Sequence, residues 1–494
     1  MIRVATLIWK DGYDYQTQIS LILLLITGLF LLLVFSYVFG RRSFLPIFGF
    51  VFAIGYLQGA IELLIDLPMG LGVIKYALLL GGGIFWALRM MDSRRLTKVF
   101  HLFRYVPLWL WILFYGLFFW MLARSLFAGE IQYAEIIPII SEWSVLNMLV
   151  MLVIFTDIRS LEQVYRFLGI LVKLGILAAI IGLIQYLLGP DRLLAIGIDV
   201  TKMGHSLLPT EGAQTFRAFS LFPSHYEFAA FMVVSLVAKF VLQMRAGSRL
   251  NLVSGLSYLI LITGVVVTFN ITLWILMIGI LFVMMLGLSA SVRKGFYSSR
   301  MIKTIGRTFL IILVILLLGM LVPAIRFRIL GIFEFTSQAT AGRSLYWRII
   351  IVRNILGLIR EFPLGLGPAI ISKIAELQHY RGWFVITSDS FFLWQTLMGG
   401  IPLFFCSLLF FVLPLRTAYK IRNQIPKMER PLFWAIWSLV SVGVVLGGLS
   451  NSALINGTST NLLVWASIGV LLKMIEITKL KTIPSGKTSP PPSS

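Results

Sequence analysis

Charge is what this chain has least of: Asp, Glu, Lys and Arg make up 13% of its 494 residues, against the ~25% usual in a soluble domain. A chain so poor in charge cannot cover a water-facing surface, which excludes the ordinary soluble classes. Cysteine occurs once, as Cys406, and this rules out an intramolecular disulfide and any cysteine-based metal cluster. Its four histidines (His101, His205, His225 and His379) do not fall at metal-ligand spacing, so no metal site is expected. There is no Walker A loop, no H-E-x-x-H and no G-x-S-x-G, which argues against ATP hydrolysis, zinc proteolysis and serine-hydrolase chemistry and leaves no cofactor to expect. No repeat of fixed period runs along the chain. The first sixteen residues mix Arg3, Lys10, Asp11 and Asp14 ahead of a long apolar run, a pattern that predicts no cleavable signal peptide.

What the chain has instead is apolar sequence: 59% of it is hydrophobic, and the mean hydropathy is +0.94. Uncharged runs of roughly 20 residues, the length that crosses a ~30 Å hydrocarbon layer, recur along it. The runs are continuous rather than alternating, which excludes a barrel. The expected fold is all-α, a polytopic membrane bundle of about 12–13 helices, with spans near 17–39, 44–65, 70–90, 105–127, 136–156, 167–188, 219–242, 250–268, 270–290, 308–325, 390–415, 432–450 and 455–475. The net charge of +22 is explained by basic inner loops rather than by nucleic acid. Dense clusters at Arg89–Arg104, Arg293–Arg307 and Arg416–Arg430 fall in alternate connections, which places them and the C-terminal tail in the cytoplasm. The reading divides the chain into an N-terminal bundle, 1–188, a membrane region with its loops, 189–482, and a Pro/Ser-rich tail, 483–494, expected to be disordered.

Two outward connections, Gly189–Arg217 and Arg326–Asp389, are longer than a turn requires, and function concentrates in such loops. Within the second, GRSLYWRIIIVRNILGLIREFP is predicted as an interfacial helix, with Arg353 and Arg360 on one face and Arg381 further along. Arg343 opens it, where unpaired N–H groups favour an anion. PLGLGP follows, a tight turn in which Gly365 and Gly367 let backbone approach backbone or ligand. In TFRAFSLFPSHYEFAAFM, Arg217 stands at the membrane surface and can hold a phosphate bidentately, or it can only reach for lipid headgroups. His225 and Glu227 are placed one or two turns into the next span, each able to accept a proton or to satisfy a neighbour. Asp389 lies where the long loop re-enters the membrane, as a general base, an arginine's counter-charge, or a helix cap.

Taken in order, these segments resemble the O-antigen ligase and polysaccharide polymerase family of bacterial envelopes. FRAFSLFPSHYEFAAFM is similar to the family's Arg and Pro-containing turn into a span, GRSLYWRIIIVRNILGLIREFPLGLGP to its large outer loop, and TSDSFFLWQTLMGGIPLFF to its re-entry segment. The likeness covers residues from Arg217 to about Leu415. It implies a glycosyltransferase of the bacterial cytoplasmic membrane, metal-independent, using polyprenyl-pyrophosphate-linked glycans. Arg217 and Arg343 would hold the departing pyrophosphate and Asp389 would act on the acceptor hydroxyl; Arg353, Arg360, Arg381, His225 and Glu227 would line the substrate. Where many members carry a Ser-Arg pair this chain has FNITLW, Phe269–Trp274, and Asp389 stands where ligases have histidine, which favours a polymerase. The expected partners are lipid-linked glycans, the bilayer and other polysaccharide-assembly proteins. Alternatives are a ligase that attaches finished glycan to a lipid or protein, and a flippase of lipid-linked sugars.

Overall fold

The computed structural model of the chain describes residues 45–64, 71–91, 93–127, 145–200, 207–210, 213–247, 251–293, 306, 353–354, 356–367, 390–450 and 458–482. The expected spans at 17–39 and 308–325, the tail from 483 and most of the loop 326–389 lie outside them.

The described chain is helical, as expected. Its helices are α1 (Leu45–Leu64), α2 (Leu71–Met90), α3 (Ser93–Phe103), α4 (Leu108–Phe127), α5 (Val145–Asp157) and α6 (Leu161–Ala195), followed by α7 (His225–Ala246), α8 (Leu252–Val266), α9 (Ile271–Arg293), α10 (Phe391–Ile421), α11 (Arg430–Ser438) and α12 (Thr458–Thr482). From α11 the chain passes through a π-helical stretch, Leu439–Leu446, to an end turn, Gly447–Ser450. Among the described residues seven helices are long and apolar enough to span a membrane by length and composition: α4, α6, α7, α9, α10, α11 with its π-helical continuation, and α12. One element departs from the all-α expectation. A two-stranded hairpin, β1 (Leu207–Thr210) and β2 (Ala213–Phe216), stands in the first long loop, with Leu207 opposite Phe216.

Helix ends follow local chemistry. Ser224 caps α7 by accepting from the Glu227 N–H at 3.2 Å, and Gly247 closes it with φ +57°. Asn251 caps α8 through the Ser254 N–H at 2.8 Å. Basic residues collect at one end of the bundle. There Arg89 of α2 pairs with Asp157 of α5, Arg245 of α7 with Glu162 of α6 at 2.7 Å, and His101 of α3 approaches Glu476 of α12 at 3.3 Å. The charge bias expects this to be the inner end, and the loop before α7 lies at the opposite one, the expected outer end.

With lipid on one side, helices gain by close approach, and small residues permit it. A Cβ on Gly175 of α6 would fall 2.6 Å from Ser235 of α7, and one on Gly182 2.6 Å from the Phe228 ring. Tyr56, Phe222 and Phe231 close the junction of α1 and α7, their ring centroids 5.1 to 5.4 Å apart. α12 runs against α5, where the Cα of Gly469 comes so close that an added Cβ would meet the Met151 carbonyl at 2.7 Å.

α10 was expected as one straight span over 390–415 and is instead a helical hairpin. In a straight helix Phe391 and Phe411 would stand ~30 Å apart, yet their ring centroids are 6.3 Å apart, and Phe392 lies 5.9 Å from Phe404. The reversal is at Gly400, with φ +65° and ψ −161°, backbone that only glycine adopts readily. Pro402 has no N–H to give to the Met398 carbonyl, so the corner leaves orphaned groups. PLGLGP answers them: Leu366 N–H donates to the Leu397 carbonyl at 2.7 Å, Gly367 N–H to that of Met398 at 2.9 Å, and Ile401 N–H to that of Pro363 at 3.1 Å. The close approach expected of Gly365 is therefore to backbone: a Cβ there would lie 2.4 Å from the Met398 oxygen.

Candidate functional site at the outer end

The segment FRAFSLF leaves β2 at Phe216 and continues as a loop, yet Phe216 to Ser220 are all buried. Aromatic residues pull it in: Phe216 and Phe219 pack with Leu193 and Val200, while Phe222 joins the main core. A buried loop must pair its backbone. Ala218 N–H donates to the Val267 carbonyl at 3.2 Å, and Ala60 N–H to that of Leu221 at 3.2 Å. Ser220 takes φ +56° and is held by a reciprocal pair with Gln185 of α6. Its N–H donates to Gln185 Oε1 at 2.7 Å, and Gln185 Nε2 donates back to its carbonyl at 2.9 Å. The Ser220 hydroxyl donates to the Ala178 carbonyl at 2.7 Å.

This frame fixes Arg217, which is 8% exposed. One guanidinium nitrogen, Nη1, lies 2.9 Å from His225 Nε2. A guanidinium only donates, so Nε2 accepts and the imidazole carries its proton on Nδ1. The Arg217 Nε–H is buried with no partner, and among the described residues no carboxylate pairs with it. Burial pushes the guanidinium below the usual arginine value, with Tyr226 opposing the shift. A buried cation without a counter-charge costs several kcal/mol. An anion laid on the edge formed by Nε–H and Nη2–H would offset that cost with paired bonds.

His225 and Glu227 were expected one or two turns into the span; they stand in the first turn of α7, with Ser224 as the cap. His225 is buried and positions Arg217. Glu227 is half-buried where the helix dipole favours an anion. Arg353 and Arg360 are exposed on short helical pieces, 353–354 and 356–361, the second leading into Pro363, and the structure does not join them to Arg217. Arg343, Arg381 and Asp389 lie outside the described residues. Beside Asp389, it is Ser390 that caps α10, accepting from the Leu393 N–H at 3.3 Å while donating to the Gly448 carbonyl at 2.7 Å.

Three amides at this end were not singled out from the sequence. Gln185 holds the loop. Asn270 sits in the FNITLW segment beside the Arg217 loop; its Oδ1 accepts from the Leu273 N–H at 3.2 Å, and its Nδ2 is buried without a partner. Gln395, on the first limb of the α10 hairpin, is fully buried with neither amide atom paired. The available signal was an isolated amide in an apolar run, a costly placement unless it is used. No family model and no curated protein matches the chain.

Proposed function

We propose that the protein lengthens a cell-surface polysaccharide on the outer face of the bacterial cytoplasmic membrane, joining a polyprenyl-pyrophosphate-linked glycan to a sugar hydroxyl of a second lipid-linked repeat unit. The observation that carries this reading is Arg217: a buried cation at the expected outer end, with an unpaired Nε–H and no carboxylate partner among the described residues. The acceptor oxygen forms a bond to the donor's anomeric carbon while the bond from that carbon to the pyrophosphate oxygen breaks. Polyprenyl pyrophosphate leaves with the electron pair, and the hydroxyl proton passes to a base, the role that the family resemblance gives Asp389. Arg217, held by His225, meets the charge that develops on the leaving oxygen, and the resemblance places Arg343 beside it. The donor is already activated, so no nucleotide is required.

Purified protein, given lipid-linked repeat units without nucleotide or divalent metal, should lengthen the glycan and release polyprenyl pyrophosphate. Arg217→Lys keeps the charge and loses the paired edge, so extension should fall about 10²–10³-fold, as when one preorganised donor is removed. Activity equal to wild type at equal insertion would refute the phosphate role of Arg217. Transfer of finished glycan to a lipid or protein acceptor would identify a ligase, and translocation across liposomes without bond formation a flippase.

A further inference from the structure

At the opposite, inner end a cavity of about 520 Å³ opens among the ends of α1, α2, α3, α5, α6 and α12. Four cations line it: Arg89, Lys98, Arg159 and Lys473, against a single carboxylate, Asp157. Two of the four are already neutralised, since Arg89 pairs with Asp157 and Lys473 lies 2.6 Å from Glu476. Lys98 and Arg159 are exposed, and among the described residues neither has an ion-pair partner. Gln163, in the first turn of α6, also lines the cavity. The Arg159 N–H is taken by Gln163 Oε1 at 3.0 Å, which fixes the backbone here and leaves the arginine side chain to the cavity.

We propose that this cavity is a binding site for a phosphate-bearing anion at the inner membrane surface, with Lys98 and Arg159 as its principal contacts. A basic hollow between helix ends at this level suits the headgroup of an anionic lipid, and a soluble phosphate would meet the same groups. The site lies at the other end of the bundle from Arg217 and does not depend on its reading.

The test uses full-length protein in zwitterionic detergent and follows the apparent melting temperature against two probes, dioleoyl phosphatidylglycerol and inorganic pyrophosphate. Phosphatidylglycerol should stabilise the wild type saturably. Lys98→Gln with Arg159→Gln should raise the half-saturating concentration roughly 30-fold, the worth of two basic side chains near an anionic surface. Arg416→Gln with Lys420→Gln removes the same charge from exposed positions at the same end and should leave the curve unchanged. Lys98→Arg with Arg159→Lys keeps both charges and should retain binding, which separates lost charge from lost fold. Protection by pyrophosphate as well would identify the phosphate group alone as sufficient, and protection by lipid alone would identify the headgroup. Absence of stabilisation by either probe, or an equal effect of the two double Gln variants, overturns the proposal.

Discussion

Gly400→Ala tests how the α10 hairpin is held. The glycine has φ +65° and ψ −161°, a region that costs a residue with a side chain about 1–3 kcal/mol. The new Cβ would also lie 2.0 Å from the Pro363 carbonyl oxygen, backbone against backbone, so PLGLGP must move away. Three hydrogen bonds then go: Leu366 to Leu397, Gly367 to Met398 and Ile401 to Pro363. At about 1 kcal/mol net for each bond, with about 2 for strain, the total is about 5 kcal/mol. Gly189 in α6 provides the control. Its φ of +73° and ψ of 172° are of the same kind, but nothing lies within 4 Å of an added Cβ. Gly189→Ala should therefore cost only the strain, about 2 kcal/mol. Denaturant unfolding followed by tryptophan fluorescence compares the two, and trypsin reports whether the bonds after Arg353 and Arg360 become faster to cleave. Equal destabilisation by the two substitutions would refute the docking of PLGLGP on the corner.

If His225 positions Arg217 by accepting its N–H, His225→Gln, which offers an amide oxygen near the same place, should keep most of the glycan extension, whereas His225→Phe should lose ~10-fold or more; loss of activity in both would make the imidazole itself the proton acceptor. Gln395→Met removes a fully buried, unpaired amide, so thermal stability should hold or rise while extension falls; unchanged extension would leave Gln395 no part in the reaction. Cysteines placed at Gln214 and Asn423 should label from outside and only after permeabilisation, respectively, over a silent background because Cys406 is buried; labelling of position 214 from the cytoplasm would invert the topology and remove the mechanism.

Hydropathy made the membrane class legible, because it arises from a solvent term summed over many residues. PLGLGP was legible as a close-approach turn, since two glycines between prolines have few other uses. The reversal in α10 was not, because Phe391–Ile421 is apolar on both sides of Gly400 and a hairpin buries its sequence as a straight span does. β1 and β2 have four residues each, too few for alternation to register. Arg217 was legible as a cation at a span's end, but its burial depends on Phe216, Phe219 and Gln185, the last contributed from 32 positions earlier in the chain. Asp389 was read as a base, a counter-charge or a cap, because aspartate and serine both start helices well, and only the Ser390 contacts show which residue caps α10.

The bonding of the α10 corner also sets an order of assembly. The two limbs of α10 cannot complete their backbone pairing by themselves, because the partners of Leu397, Met398 and Ile401 lie at 363–367, in the outer loop. That segment precedes α10 in the chain, so it is synthesised before the corner it pairs with. A ribosome stalled after α10 would therefore carry a hairpin able to close, whereas the same hairpin made without the loop would expose unpaired amides to lipid. Folding of this half of the protein thus depends on a segment made before the hairpin that needs it.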